Sequence, residues 1–130
     1  MSIYLLDTNI IIDAINEKRN RNRFLLDLAE QQGHTLACCP INVAEVYAGM
    51  RPKEEQRTTA LLRSLQLFPI TFPVAELGGL LKRGHGKKGV TLSLTDALIA
   101  AVAIHNHLTL ITDNVKDFPM KELSLYPLPN

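Results

Sequence analysis

Aromatic side chains are scarce in this sequence, at 5% of 130 residues, so aliphatic members of the 46% hydrophobic fraction must do most of the packing. Cysteine is limited to the neighbours Cys38 and Cys39. A disulfide between adjacent residues is strained and closes no loop, so the pair reads as small buried hydrophobes of a reducing compartment. Scattered histidines add no ligand spacing to them, which excludes a zinc site. An excess of charge of one sign is also missing, since 14 Lys plus Arg against 13 Asp plus Glu leave a formal net charge of +1. That balance argues against a protein that coats nucleic acid by bulk electrostatics, and it leaves room for a local basic track beside an acidic site. The longest apolar stretch, residues 97–104, is far too short to cross a bilayer. The first residues run straight into Asp7 without a secretory pattern. The expectation is a single soluble, cytoplasmic domain over residues 1–130 with no membrane association.

What is present is an alternation of short apolar runs with longer helical ones. Residues 3–6, 35–39, 66–70 and 108–112 read as strands, with a weaker one over 123–128 that Pro127 and Pro129 restrict to a sheet edge. Helices are expected over 9–16, 21–32, 41–50, 53–65, 73–83 and 94–107, with a glycine- and lysine-rich loop at 84–89. Arg19, Arg21 and Arg23 fall on what should be the exposed face of the second helix, where a protein partner could also touch them by charge. Continuously apolar strands separated by helices imply an α/β fold of three layers, α/β/α, around a parallel sheet of four to five strands. In such sheets function gathers at the carboxyl ends of the strands. Asp7 directly follows the first strand and Asp113 the fourth, so both should emerge on the same edge.

Each acidic residue has an ordinary explanation on its own. Asp7, with Thr8 and Asn9, can cap a helix. Glu45, the only charge between Pro40 and Met50, can be a lone surface point. Asp96 opens a helix that is apolar all round and can serve its dipole, with Ser93 or Thr95 as the cap. Asp113 and Asp117 fit an Asp- and Asn-rich turn. As a set they lie after strand one, in the third helix, at the start of the buried helix and after strand four. Carboxylates converging on one edge repel one another unless protons or cations intervene. Hard oxygen ligands without a thiolate select Mg²⁺ or Mn²⁺. Such ions activate water and clamp the oxygens of a phosphodiester. The chemistry expected is phosphodiester hydrolysis with no side-chain nucleophile.

Four segments now carry a resemblance: Leu5-Leu6-Asp7-Thr8-Asn9, Asn42-Val43-Ala44-Glu45-Val46, Thr95-Asp96-Ala97-Leu98-Ile99-Ala100-Ala101, and Thr109 through Phe118 with its Thr112-Asp113-Asn114-Val115-Lys116-Asp117 core. In series and in this order they resemble the PIN-domain family, most closely the VapC-type toxins of bacterial toxin–antitoxin pairs. The resemblance implies a PIN-like fold and a Mg²⁺- or Mn²⁺-dependent endoribonuclease, dimeric and inhibited by a cognate antitoxin. Matched by position, Asp7, Glu45 and Asp96 correspond to the family's metal-binding and catalytic acids, and Thr8 and Thr112 to hydroxyls that position water or a ligand. Asp113 and Asp117 both qualify as the fourth acid.

Lys82, Arg83, Lys87 and Lys88 put four fixed positive charges in seven residues shortly before Asp96, and Arg51 follows the Glu45 helix. They read either as a solvated loop or as contacts to an RNA backbone. No aromatic alternates with them, so base stacking is not indicated. Two other classes with an early Asp after a strand fail on their own chemistry. Haloacid-dehalogenase phosphatases need Asp-x-Asp where this chain has Asn9, and receiver domains need an Asp after the third strand, where Pro69-Ile70-Thr71-Phe72 stands. The remaining alternative is a non-catalytic RNA-binding or regulatory scaffold that keeps the fold, against which the intact acidic set speaks.

Overall fold

The computed structural model describes residues 2–128, and Pro129, invoked above for the last strand, lies outside them. Ile3–Leu6 forms β1, Thr35–Cys38 β2, Gln66–Leu67 β3, Thr109–Ile111 β4 and Ser124–Leu125 β5. Every pairing is parallel and the order across the sheet is β3-β2-β1-β4-β5. The expected parallel sheet is therefore there, with five strands and its two shortest at the edges. The third strand is shorter than its apolar run. Phe68 still donates its N–H to the Cys38 carbonyl at 2.9 Å, and Pro69 follows with its ring nitrogen on the open edge, where no ladder bond is needed.

Successive side chains on a strand point to opposite faces, and the apolar runs fill both. Leu5, Ala37 and Leu110 face one core, which is covered by α5 (Phe72–Lys87) and α6 (Leu94–His105) through Val74, Leu81, Ile99 and Ala100. Leu6, Cys38 and Ile111 face the other, covered by α1 (Thr8–Ile15), α2 (Arg21–Leu26) and α4 (Glu55–Ser64). A π turn over Asp27–Gln31 extends α2, so that Leu25 and Leu28 both reach this core. α3 (Pro40–Ala48) touches both layers, because Ile41 packs toward the first core and Val46 toward the second. The three-layer α/β/α arrangement follows.

Two expectations need correction. Residues 84–87 are not a loop, since α5 continues through Gly84, His85 and Gly86 to Lys87. Glycine in a helix costs about 1 kcal/mol relative to alanine, which packing of the helix on a neighbour easily outweighs. The neighbour is α6, and the two backbones come so close that a Cβ on Gly78 would stand 2.7 Å from Leu98 Cδ2. The helix ends at Lys87, and two residues on Gly89 takes a φ of +80°, which suits a residue without a side chain. The second correction concerns Arg21, which was expected on an exposed face and is instead 7% exposed. The turn before α2 carries left-handed backbone at Glu17, Arg19 and Asn20, with φ of 55°, 55° and 56°. That turn delivers the first residue of α2 to the carboxyl edge of the sheet, where Arg21 meets an acid.

Candidate active site

β1 lies between β2 and β4, so the chain winds outward in both directions from it. In open parallel sheets such a reversal leaves a crevice beyond the carboxyl ends of the two strands concerned. The register pairs Leu6 with Ile111, the last residues of β1 and β4. One step further, the Asp7 N–H donates to the Ile111 carbonyl at 2.9 Å. Thr112 is thereby set beside Asp7, and its Oγ1 donates to Asp7 Oδ2 at 2.7 Å. The other oxygen, Oδ1, accepts the Thr8 N–H at 2.9 Å, so Asp7 also caps α1. The cap is thus real, and it leaves the same carboxyl standing at the crevice.

Glu45 reaches the same crevice from α3. Thr8 Oγ1 donates to Glu45 Oε1 at 2.6 Å and accepts from Asn42 Nδ2 at 3.0 Å. Asn42 in turn accepts the Cys39 N–H at 2.8 Å, closing the first turn of α3. Asn42 is fully buried and was not among the expected site residues. Its signal was available, because it lies one helical turn before the buried Val46 and so on the inward face of α3. The two threonines are used alike. Thr112 donates to an acid and accepts the Asn114 N–H at 2.9 Å, just as Thr8 donates to an acid and accepts an amide. Both hydroxyls therefore orient carboxylates.

α6 begins after Ser93, whose Oγ accepts the Asp96 N–H at 3.1 Å. This fixes the half-buried Asp96 at the mouth of a helix whose following residues are buried. The closing motif divides. A 3-10 turn over Val115–Asp117 presents Asp117 to the crevice, whereas Asp113 turns away to Arg21 Nη2 at 2.5 Å and Arg19 Nη1 at 3.2 Å. Four carboxylates, those of Asp7, Glu45, Asp96 and Asp117, thus line one cavity of about 360 Å³, with Thr8, Asn9, Ile12 and Asn114 between them. Among the described residues no Lys, Arg or His lines it.

Gathering acids without a counter-charge has an electrostatic consequence. Burial pushes the Asp7 carboxyl above its ordinary pKa, against the lowering hydrogen bonds of Thr112 and Thr8, and Asp96 and Glu45 push it further. Asp96 is raised by burial as well, with Ser93 opposing and Asp117 and Glu45 adding to the rise. No three ligating side chains among the described residues stand close enough to enclose an ion by themselves. A cation that keeps several of its waters and takes one or two carboxylates directly, as Mg²⁺ does, still fits four spaced oxygen donors. Cys39 adds no thiolate to the set, because burial raises its thiol, opposed by backbone bonds to Asn42 and Ile41.

The basic candidates are not brought to this cavity. Lys82, Arg83 and Lys87 project from α5, with Lys88 just beyond it, and none lines the acidic wall. Lys82 donates instead to the Leu92 carbonyl. Arg51 is held by Glu54, at 3.0 Å from Nε and 2.5 Å from Nη2.

Sequence comparison agrees with this geometry. The PIN domain profile matches residues 4–119, a span that holds all four carboxylates of the cavity. The chain belongs to the PIN-domain family. Within it, Ribonuclease VapC2 of Rickettsia felis is 33% identical over 121 residues, covering 89% of this chain and 90% of that protein. The crystal structure of VapBC2 from Rickettsia felis, bound to a DNA fragment from the promoter, is similar with a TM-score of 0.83 and 29% identity, over 95% of this chain and 97% of that one. A toxin–antitoxin complex from Klebsiella pneumoniae is similar with a TM-score of 0.75 and 32% identity, over 92% and 94% of the two chains. The resemblance read from the four motifs is borne out.

Proposed function

We propose that this chain is a divalent-cation-dependent endoribonuclease, hydrolysing RNA phosphodiester bonds as the toxin of a toxin–antitoxin pair. The observation that carries the reading is the cavity itself, where four carboxylates from four separate elements meet and no basic side chain among the described residues joins them. Asp7, Glu45, Asp96 and Asp117 are the residues that would hold Mg²⁺ or Mn²⁺. Asp117 is favoured over Asp113 as the fourth acid, because Asp113 is already neutralised by two arginines. When bound, the cation supplies water activation and charge neutralisation at the scissile phosphate. The protein's own part is orientation. Thr112 aims Asp7, Thr8 aims Glu45 with Asn42 behind it, and Ser93 sets the turn that carries Asp96. With their hydroxyls so engaged, neither threonine is free to attack phosphorus, which supports water as the nucleophile.

The partners that go with this reading are an RNA substrate, a cognate antitoxin and a second copy of the chain, in keeping with relatives described as VapBC and toxin–antitoxin complexes. Lys82, Arg83, Lys87, Lys88 and Arg51 stay candidates for the RNA backbone outside the catalytic cavity. The test is RNA cleavage by the purified chain with Mg²⁺ or Mn²⁺, compared with Asp7→Asn and Asp96→Asn. Cleavage should depend on the cation and disappear in both variants. Equal cleavage by all three proteins would trace the activity to a contaminant and reject the reading.

A further inference from the structure

We propose that Asp113, clamped by Arg21 and Arg19, is a positioning residue for the acidic cavity, tying the turn before α2 to the loop after β4. The inference rests on the functional reading above, since it concerns how that cavity is held ready for a cation.

The clamp is built from unusual parts. Asp113 Oδ1 lies 2.5 Å from Arg21 Nη2, and Oδ2 lies 3.2 Å from Arg19 Nη1. Arg21 is buried and its Nη2 donates to Asp113 Oδ1, while its Nε and Asp113 Oδ2 have no hydrogen-bond partner among the described residues, so one charge-assisted hydrogen bond and the attraction of opposite charges do the holding. A pair so largely buried is costly to break from one side, because the survivor is left charged and mostly away from water. Backbone strain points the same way. Three residues with side chains, Glu17, Arg19 and Asn20, take left-handed conformations within four positions. Such conformations persist only where surrounding contacts over-determine them. Arg19 and Arg21 bracket Asn20, and both end on Asp113.

From Asp113 the restraint passes into the cavity through its two neighbours. Thr112 holds Asp7 Oδ2 and accepts the Asn114 N–H. The Asn114 carbonyl accepts the Asp117 N–H at 2.9 Å, closing the 3-10 turn that presents Asp117. An unbroken series of bonds therefore links two arginines of the opposite segment to two of the four cavity acids. The arginines also remove a competitor. A free carboxylate at position 113, adjacent to Thr112, would offer a cation an alternative partner away from the cavity.

The experiment measures Mn²⁺ binding to the metal-free chain by the electron paramagnetic resonance of unbound Mn²⁺, well below the melting temperature, together with hydrogen exchange over residues 114–117. Asp113→Asn should weaken binding by about tenfold or more, the range over which partners behind metal ligands act, and should speed exchange at those amides. Arg21→Lys should weaken it less, and Arg19→Gln, which leaves the buried pair, least. Asp117→Asn is the control for the functional reading and should lose affinity. If the parent binds Mn²⁺ and Asp117→Asn does not, while Asp113→Asn binds and exchanges like the parent, the positioning role is overturned and the functional reading stands. If the parent binds no Mn²⁺, the functional reading falls and takes the positioning role with it. Should Asp113→Asn fail to fold, parent-like binding by both Arg21→Lys and Arg19→Gln overturns the role.

Discussion

Asp7 and Glu54 are buried to nearly the same degree, 6% and 4% exposed, yet their environments push them in opposite directions. Glu54 accepts from the Arg51 backbone at 3.0 Å and from the Arg51 guanidinium at 3.0 and 2.5 Å. These bonds pull its pKa down from 4.5 to about 2. Burial raises the pKa of Asp7, two bonds from neutral donors only partly offset it, and the further acids it faces add to the rise. A buried carboxylate with a cation of its own stabilises the fold. A buried carboxylate among other carboxylates is at odds with the fold until a cation arrives, which is how a functional cavity differs from a structural ion pair.

The widest separation between the two acids should be in catalysis. Asp7→Asn should lower RNA cleavage by at least about a hundredfold, the upper end of what even partners behind metal ligands cost. Glu54→Gln should leave the rate per folded molecule within about twofold, a change outside that range. An equal loss in both would dissolve the distinction. Next in size is the response to metal. Mn²⁺ at a hundred times its dissociation constant should stabilise the parent by about 2.7 kcal/mol, roughly a 10 °C rise in melting temperature. Glu54→Gln should keep that rise and Asp7→Asn should blunt it, as read by calorimetry with and without cation.

Smaller effects should appear without metal. Glu54→Gln should melt several degrees lower than the parent, whereas Asp7→Asn should melt at the same temperature or higher, because it removes repulsion and a buried charge. The pH dependence sharpens this further. The contribution of Glu54 should be complete above pH 4.5 and fade as pH falls to about 2. Asp7 and Asp96, with folded pKa values above 3.8, bind protons more readily when folded, so their contribution is present below pH 3.8 and lost as pH rises through the folded values. The gap between Asp7→Asn and the parent should therefore be near zero at low pH and open toward neutrality. A gap of constant size in metal-free denaturation curves would contradict the raised pKa.

How much of this was legible in the sequence depended on how local the cause was. The runs at residues 3–6 and 108–112 named the two central strands, and with them the edge on which Asp7 and Thr112 emerge. Asp96 was readable because a helix apolar all round must be buried. The choice between Asp113 and Asp117 was not readable, since it turns on arginines some 90 residues earlier and on a left-handed turn with no glycine to announce it. Glycines at 84 and 86 suggested a break, but both sit in the exposed last turns of a helix anchored on α6 further back, where the close approach at Gly78 involves residues twenty positions apart. Asn42 could have been found from its place on the inward face of α3.

β1 sits at the middle of the sheet, and its right-hand neighbour β4 is made of residues more than a hundred positions later. Chains fold largely from the amino end as they are synthesised. A ribosome producing this protein must therefore add residue 109 before β1 gains its second neighbour, and residue 117 before the last acid exists. Through most of its translation the nascent chain therefore lacks a complete acidic cleft, because strand order postpones its assembly.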